Sequence, residues 1–153
     1  MSPQKLTELT IRDAPTLRHD EPLGPAVQKL LDRDVPALPV VGPDGRYAGI
    51  FGEREFLKAL FPGYVGELRS ASFLRHSMDD VLERRTECRE EQVSKYMLTE
   101  HVDVDPDVSD LHVTEIFLHH HVLVVPVVEN GVVKGLILRR DFFRLCAERL
   151  LAG

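Results

Sequence analysis

Three consecutive histidines, His119, His120 and His121, with His112 shortly before them on the same predicted helix, are the first place in this chain to look for chemistry. Imidazoles bind transition metals, but ligands on one helix converge at i, i+3 or i+4, and consecutive residues point about 100° apart. At most two of the four converge, no cysteine or carboxylate completes a set, and no metal is expected. His120 continues the apolar stripe of Val113, Ile116 and Phe117, so part of the run is expected to pack. A pH response is the chemistry left to it, because imidazole titrates near neutrality. Cys88 and Cys146 stand far apart in no metal-type spacing. No Ser-His-Asp or Cys-His order suggests a nucleophile, and no glycine-rich loop is present to cradle phosphate, so an enzyme is not expected. Glu55 and Asp141 each fall on the first turn of a predicted helix, beside Arg54 and beside Arg139 and Arg140. The positive end of the helix dipole favours a carboxylate there with or without a ligand.

The elements that carry these two carboxylates are spelled twice. "LPVVGPDGRYAGIFGEREFLKAL" at 38–60 returns at 123–146 as "LVVPVVENGVVKGLILRRDFFRLC". With Pro39 set against Pro126, Gly49 and Gly135 fall in register after a one-residue deletion in the second turn. Pro-Asp-Gly and Asn-Gly between apolar runs predict hairpins, since Gly and Asn accept the positive φ that such turns require. Phe56, Leu57, Leu60 and Phe61 then follow at helical spacing, as do Phe142, Leu145, Cys146 and Leu150. Upstream, Leu23, Val27, Leu30 and Leu31 form one predicted stripe, and Val113, Ile116 and Phe117 form the other. Before each helix stands a short strand candidate, "TLRHDEP" and the strictly alternating "VDVDPDV". Each copy therefore predicts strand–helix–strand–strand–helix over roughly 50 residues, a unit that leaves a sheet face bare unless a second copy covers it. The organisation expected is a first repeat at 5–61, a charged, largely helical and exposed connector at 62–92, and a second repeat at 93–149.

Composition is that of a globular chain, 43% hydrophobic and 29% charged, able to build a core without disulfides. A formal charge of −6 argues against nonspecific nucleic-acid binding, which needs a basic face. It leaves room for a small anionic ligand. The N-terminus has no apolar signal region, and the longest apolar run, "VLVVPVV" at 122–128, is too short to span a bilayer. A cytoplasmic protein without membrane contact is the expectation.

The repeated Pro-Val-Val hairpin with its glycine and closing helix, together with "VSKYMLTEHVDV" at 93–104, resembles the tandem cystathionine-β-synthase-type (CBS) domain pair over nearly the whole chain. The resemblance implies an α/β (α+β) fold, two βαββα repeats packed as a pseudo-twofold pair, with two clefts between them and a tendency to form disc-shaped homodimers. It also implies a stand-alone regulatory module. An adenosine-type ligand (AMP, ADP, ATP or S-adenosylmethionine) occupies a cleft, and a separate effector protein responds. No cofactor is required.

The family's ligand signature, G-h-h-[TS]-x-x-D, maps onto Gly135 to Asp141 and onto Gly49 to Glu55. The resemblance then gives Asp141 the ribose hydroxyls, and gives Arg139 and Arg140 a phosphate. Leu138 stands where a hydroxyl residue is expected. In the first copy Glu55 replaces the aspartate, Arg54 precedes it, and Gly52 stands at the hydroxyl position. Base contacts implied for the second cleft are Val122, Val124 and Pro126 with His101 and Val102. For the first cleft they are Val35, Ala37 and Pro39 with Pro15 and Thr16. A carboxylate at that position can accept both ribose hydroxyls, as an acidic residue does in dinucleotide folds, while helix N–H groups and arginines favour phosphate. The second reading is a ligand-free dimerisation scaffold whose clefts have degenerated, consistent with the hydroxyls missing at Gly52 and Leu138.

Overall fold

Both hairpins close at residues that accept a left-handed backbone: Gly45 in the first, and Asn130 with Gly131 in the second. The computed structural model describes residues 5–61 and 77–153. In chain order the elements are α1 (Leu6–Thr10), β1 (Ile11–Arg12), β2 (Leu17–Arg18), α2 (Leu23–Arg33), β3 (Ala37–Val41), β4 (Tyr47–Gly52) and α3 (Glu53–Ala59). After the undescribed stretch come α4 (Met78–Arg84), two 3-10 turns (Thr86–Glu90 and Val93–Lys95), α5 (Asp110–His119), β5 (Val124–Glu129), β6 (Val132–Leu138) and α6 (Arg139–Ala152). The fold is mixed α+β, two βαββα copies related by an approximate twofold.

The antiparallel pairs β3–β4 and β5–β6 are the hairpins. In the first copy the leading strand forms as β2, parallel to β3 with Leu17 opposite Val40. In the second copy "VDVDPDV" keeps a single strand residue. Val104 donates to the Pro126 carbonyl at 3.0 Å and accepts from the Val128 N–H at 2.8 Å. Pro106, with no N–H to continue a ladder, begins a turn two residues later.

The lead-in of each copy crosses to the other copy's hairpin. β1 pairs antiparallel with β6, so that the sheet orders are β1-β6-β5 and β2-β3-β4. Reciprocally, Leu98 exchanges two backbone hydrogen bonds with Ile50 of β4, at 2.9 and 2.8 Å. The aligned glycines are the crossing points. A Cβ on Gly49 would lie 2.5 Å from the Leu98 carbonyl oxygen, and one on Gly135 would lie 2.8 Å from that of Arg12.

Two-residue periodicity then divides β5 and β6 between two cores. Val124, Leu136 and Leu138 join Leu17, Leu38, Val40, Ile50 and Phe51 of the first copy. Val125, Val127 and Ile137 face Val113, Ile116, Phe117 and Phe142 instead. The bare sheet face that one copy would leave is thus buried by the other.

Several expected core positions lie at the surface. Along α2 the buried line is Leu23, Ala26 and Leu30, and Leu31, turned about 100° away, is exposed. Leu57 and Leu150 are exposed as well. His120 is exposed rather than packed, because α5 ends at His119 and the chain turns at His121, which has positive φ. Within the charged connector, residues 62–76 lie outside the described residues. α4 buries nothing, yet Cys88 enters the first core. Arg85 donates twice to the Ala59 carbonyl, at 3.1 and 2.8 Å, and pairs with Glu91 at 2.9 Å. The charged run is therefore partly a clasp on the end of α3, and not only a solvated face. Among the described residues no helix is long and apolar enough to cross a membrane.

Candidate functional site

Strand β4 runs into α3 without a loop, and Gly52 is the joint. A Cβ there would lie 2.3 Å from the Pro36 carbonyl oxygen and 2.5 Å from the Ala37 Cβ. The glycine therefore serves the approach of the protein's own β3, not that of a ligand. The Glu53 N–H donates to the Pro36 carbonyl at 2.9 Å, which pins the first turn of α3 beside the start of β3. Glu55 is buried, and its Oε1 accepts the Gly52 N–H at 3.0 Å, capping its own helix.

Facing this turn is the lead-in of the second copy, held by the pairing of Leu98 with Ile50. Glu100, His101 and Val102 follow Leu98 along one wall, and His120 to Val124 form another. The space enclosed is a cleft of about 350 Å³, with Ala37 and Ile50 on its floor side and Arg54 and Glu55 at the helix end. Burial pushes the His101 imidazole below its ordinary pKa, opposed by the Val102 carbonyl, Glu55 and Asp103. Its Nδ1 lies 2.8 Å from the Val102 carbonyl oxygen. The cleft thus offers apolar walls, a buried carboxylate at a helix N-terminus, an arginine and an imidazole.

The equivalent joint in the second copy is occupied differently. Strand β6 passes directly into α6, and the Arg139 N–H donates to the Leu123 carbonyl at 2.9 Å, matching Glu53 and Pro36. Asp141, however, is already bonded. Arg12 donates to its Oδ2 from Nε at 3.0 Å and from Nη2 at 2.6 Å. Arg140 reaches back to the end of α2, where it donates to the Asp34 carbonyl at 2.7 Å and lies 3.7 Å from the Asp34 carboxylate. Leu138 is fully buried, and with Val35 it lines a larger, mostly apolar groove of about 820 Å³. Exposed Leu118, Leu123 and Phe143 and the arginines Arg139 and Arg140 share that groove.

The residues singled out from sequence are therefore regrouped. His101, Val102, Val122 and Val124, expected beside Asp141, gather across from Glu55 and Arg54 with Ala37. Thr16 is half-buried ahead of β2, and Pro39 and Pro126 are buried within β3 and β5; none of the three lines either cavity. Pro15 is likewise half-buried outside both. Pro36, Ile50, Glu53, Leu98, Glu100, His120, His121 and Leu123 line the smaller cleft without having been anticipated. The signal for them was the pair of aligned glycines. A glycine in the middle of a strand marks a close backbone approach, and here the approaching chain is the other copy's lead-in. Among the described residues no group of three or more histidine, cysteine or acidic side chains is placed to hold a metal. His119 stands outside the cleft, 3.8 Å from Glu115 on its own helix.

A family model described as the CBS domain matches residues 6–62 and again 93–148. A search of curated proteins finds no match. Among solved structures, the CBS domain of a CBS domain-containing membrane protein from Sphaerobacter thermophilus is similar, at 25% identity and TM-score 0.69, over 92% of this chain and 86% of that one. A CBS domain-containing protein from Kribbella flavida shares 23% identity at TM-score 0.66, over 92% of this chain and 97% of its own. CBSX2, solved in complex with AMP, is 14% identical at TM-score 0.68, over 95% and 98% of the two chains.

Proposed function

The chain belongs to the CBS-domain family, and from that premise we propose that it is a regulatory binding module that takes an adenosine-type ligand in the cleft beside Glu55 and signals occupancy to a separate protein. One observation carries the reading. The twofold crossing brings Arg54 and Glu55 of one copy together with His101, Val102, Val122 and Val124 of the other around a cleft of about 350 Å³. That size lies in the range of small-molecule sites, which are mostly apolar with a few placed polar groups. Ala37, Val102, Val122 and Val124 give a base its apolar walls. Glu55 spends Oε1 on Gly52, leaving Oε2 for a ligand hydroxyl, and Arg54 supplies charge for a phosphate. The AMP held by CBSX2 supports the ligand class.

Because the cleft is built from both copies, a ligand that binds one packing of them more tightly shifts their equilibrium, and a partner that distinguishes the packings responds. A binding role needs no catalytic step, and none is assigned. The active form is proposed to be a homodimer. The scaffold reading has its own support, since both acidic residues already do structural work: Glu55 caps α3 and Asp141 holds Arg12.

Calorimetric titration with AMP, ADP, ATP and S-adenosylmethionine separates the two. Val122→Trp fills the cleft from a partly exposed position. Saturable binding of at least one ligand, weakened about tenfold or more by that variant, a difference of about 1.4 kcal/mol, supports the sensor. Absence of heat with all four ligands supports the scaffold.

A further inference from the structure

We propose that Arg12 takes, from within the chain, the place of a ligand at Asp141, so that the protein has one working nucleotide cleft and not two. The proposal rests on the binding role assigned above and states which half of the module performs it.

The twofold makes the comparison strict. Gly49 and Gly135 are equivalent, so Ile50 and Leu136 are equivalent, and so are the residues paired with them in the crossing lead-ins. Leu98 pairs with Ile50, and Arg12 pairs with Leu136. One lead-in therefore brings a leucine to its crossing and the other an arginine. Leu98 has no charge to offer Glu55, which turns one oxygen onto the Gly52 N–H. Arg12 sends two N–H groups onto Asp141 Oδ2.

The Arg12 side chain is 38% exposed and that of Asp141 22%, and the residue that carries the guanidinium is anchored. Its backbone is fixed in the ladder with β6, and its carbonyl sits against Gly135, where a Cβ would come within 2.8 Å. A ribose diol arriving at Asp141 must displace two N–H groups of a cation, and its own hydroxyls bring no positive charge to replace it. Arg140, the counterpart of Arg54, donates instead to the Asp34 carbonyl. Arg12 thus acts as a built-in competitor, and the same contact fastens the N-terminal lead-in to the first turn of α6.

Stoichiometry tests this directly, with AMP titrated calorimetrically into wild type, Arg12→Gln, and Arg12→Gln combined with Val122→Trp. The expected result is one AMP per chain for wild type, two for Arg12→Gln, and one for the combined variant. Thermal melting checks that each variant folds. Should Arg12→Gln not fold, Arg12→Lys keeps the charge but loses the fork, and a second, weaker site is expected from it. Two AMP per chain in wild type overturns the latch and leaves the binding role standing, as does a single site in wild type that Arg12 variants do not change. No binding to any form overturns the binding role, and the latch with it.

Discussion

A single methyl group on Gly49 would meet the Leu98 carbonyl oxygen at 2.5 Å, a distance that real side chains do not adopt. The obstacle is backbone, held by the two hydrogen bonds between Leu98 and Ile50, so it cannot rotate aside as a side chain would. Gly49→Ala is therefore expected to destabilise the protein by about 1–3 kcal/mol, the usual range for overpacking, as measured by urea unfolding. Gly45, on the same hairpin, has open space around it and only its positive φ to defend. Gly45→Asn, a residue that tolerates that conformation, is expected to cost less than Gly49→Ala. The sequence showed that Gly49 and Gly135 correspond, and why each is glycine stayed hidden, because the chain that crosses each of them comes from the opposite copy. The residues that share a cleft are regrouped for the same reason. His101 and Val102 belong to the same copy as Asp141, while the crossing carries them to Glu55 of the other.

Among the elements, α1 depends most on a distant residue. It has no side-chain cap of its own. The carboxylate of Asp110, at the start of α5, accepts from the Leu6 N–H at 3.0 Å, the Thr7 N–H at 2.9 Å and the Thr7 hydroxyl. Partial burial works against the charge on Asp110. The bonds from Thr7 and Leu6, with nearby Lys5, outweigh that and hold its pKa below the ordinary 3.8. A carboxyl lowered on folding contributes stability that is full above its unfolded pKa and is lost as pH falls through the folded one. Asp110→Ala is thus expected to cost about 1 kcal/mol at pH 7, as lost helix caps do. The gap to wild type should close as pH drops below about 4. Thermal melts of both forms between pH 7 and pH 3 check it; a gap that stays constant would mean the carboxylate charge is irrelevant. Local periodicity identified α2, α3, α5 and α6, whose apolar residues recur within the element. α1 and β1 were beyond it, since their partners, Asp110 and Leu136, are supplied by the second copy.

At the scale of the molecule, the duplication visible in the hairpins accounts for the two shared cores, and among the described residues an apolar groove remains at the surface. Leu118, Leu123 and Phe143 are exposed around the groove that Val35, Leu138 and Phe142 line from within. Its edge carries both signs of charge, Asp34 and Glu53 with Arg139 and Arg140. A twofold contact sets the same patch against itself, so a patch holding both signs can meet its own complement. The occupant proposed here is accordingly a second copy of the chain. Phe143→Glu adds a charge at the centre of such a contact and removes no buried side chain, because Phe143 is 67% exposed. Sedimentation at micromolar concentration is expected to give twice the 17.3 kDa chain mass for wild type and the single chain for Phe143→Glu, with unchanged melting of the monomer. Since each chain carries a formal charge of −6, moderate salt should tighten the wild-type dimer by screening the long-range repulsion. A wild-type monomer at every salt concentration would remove the dimer from the proposed function and leave the cleft beside Glu55 to act within one chain.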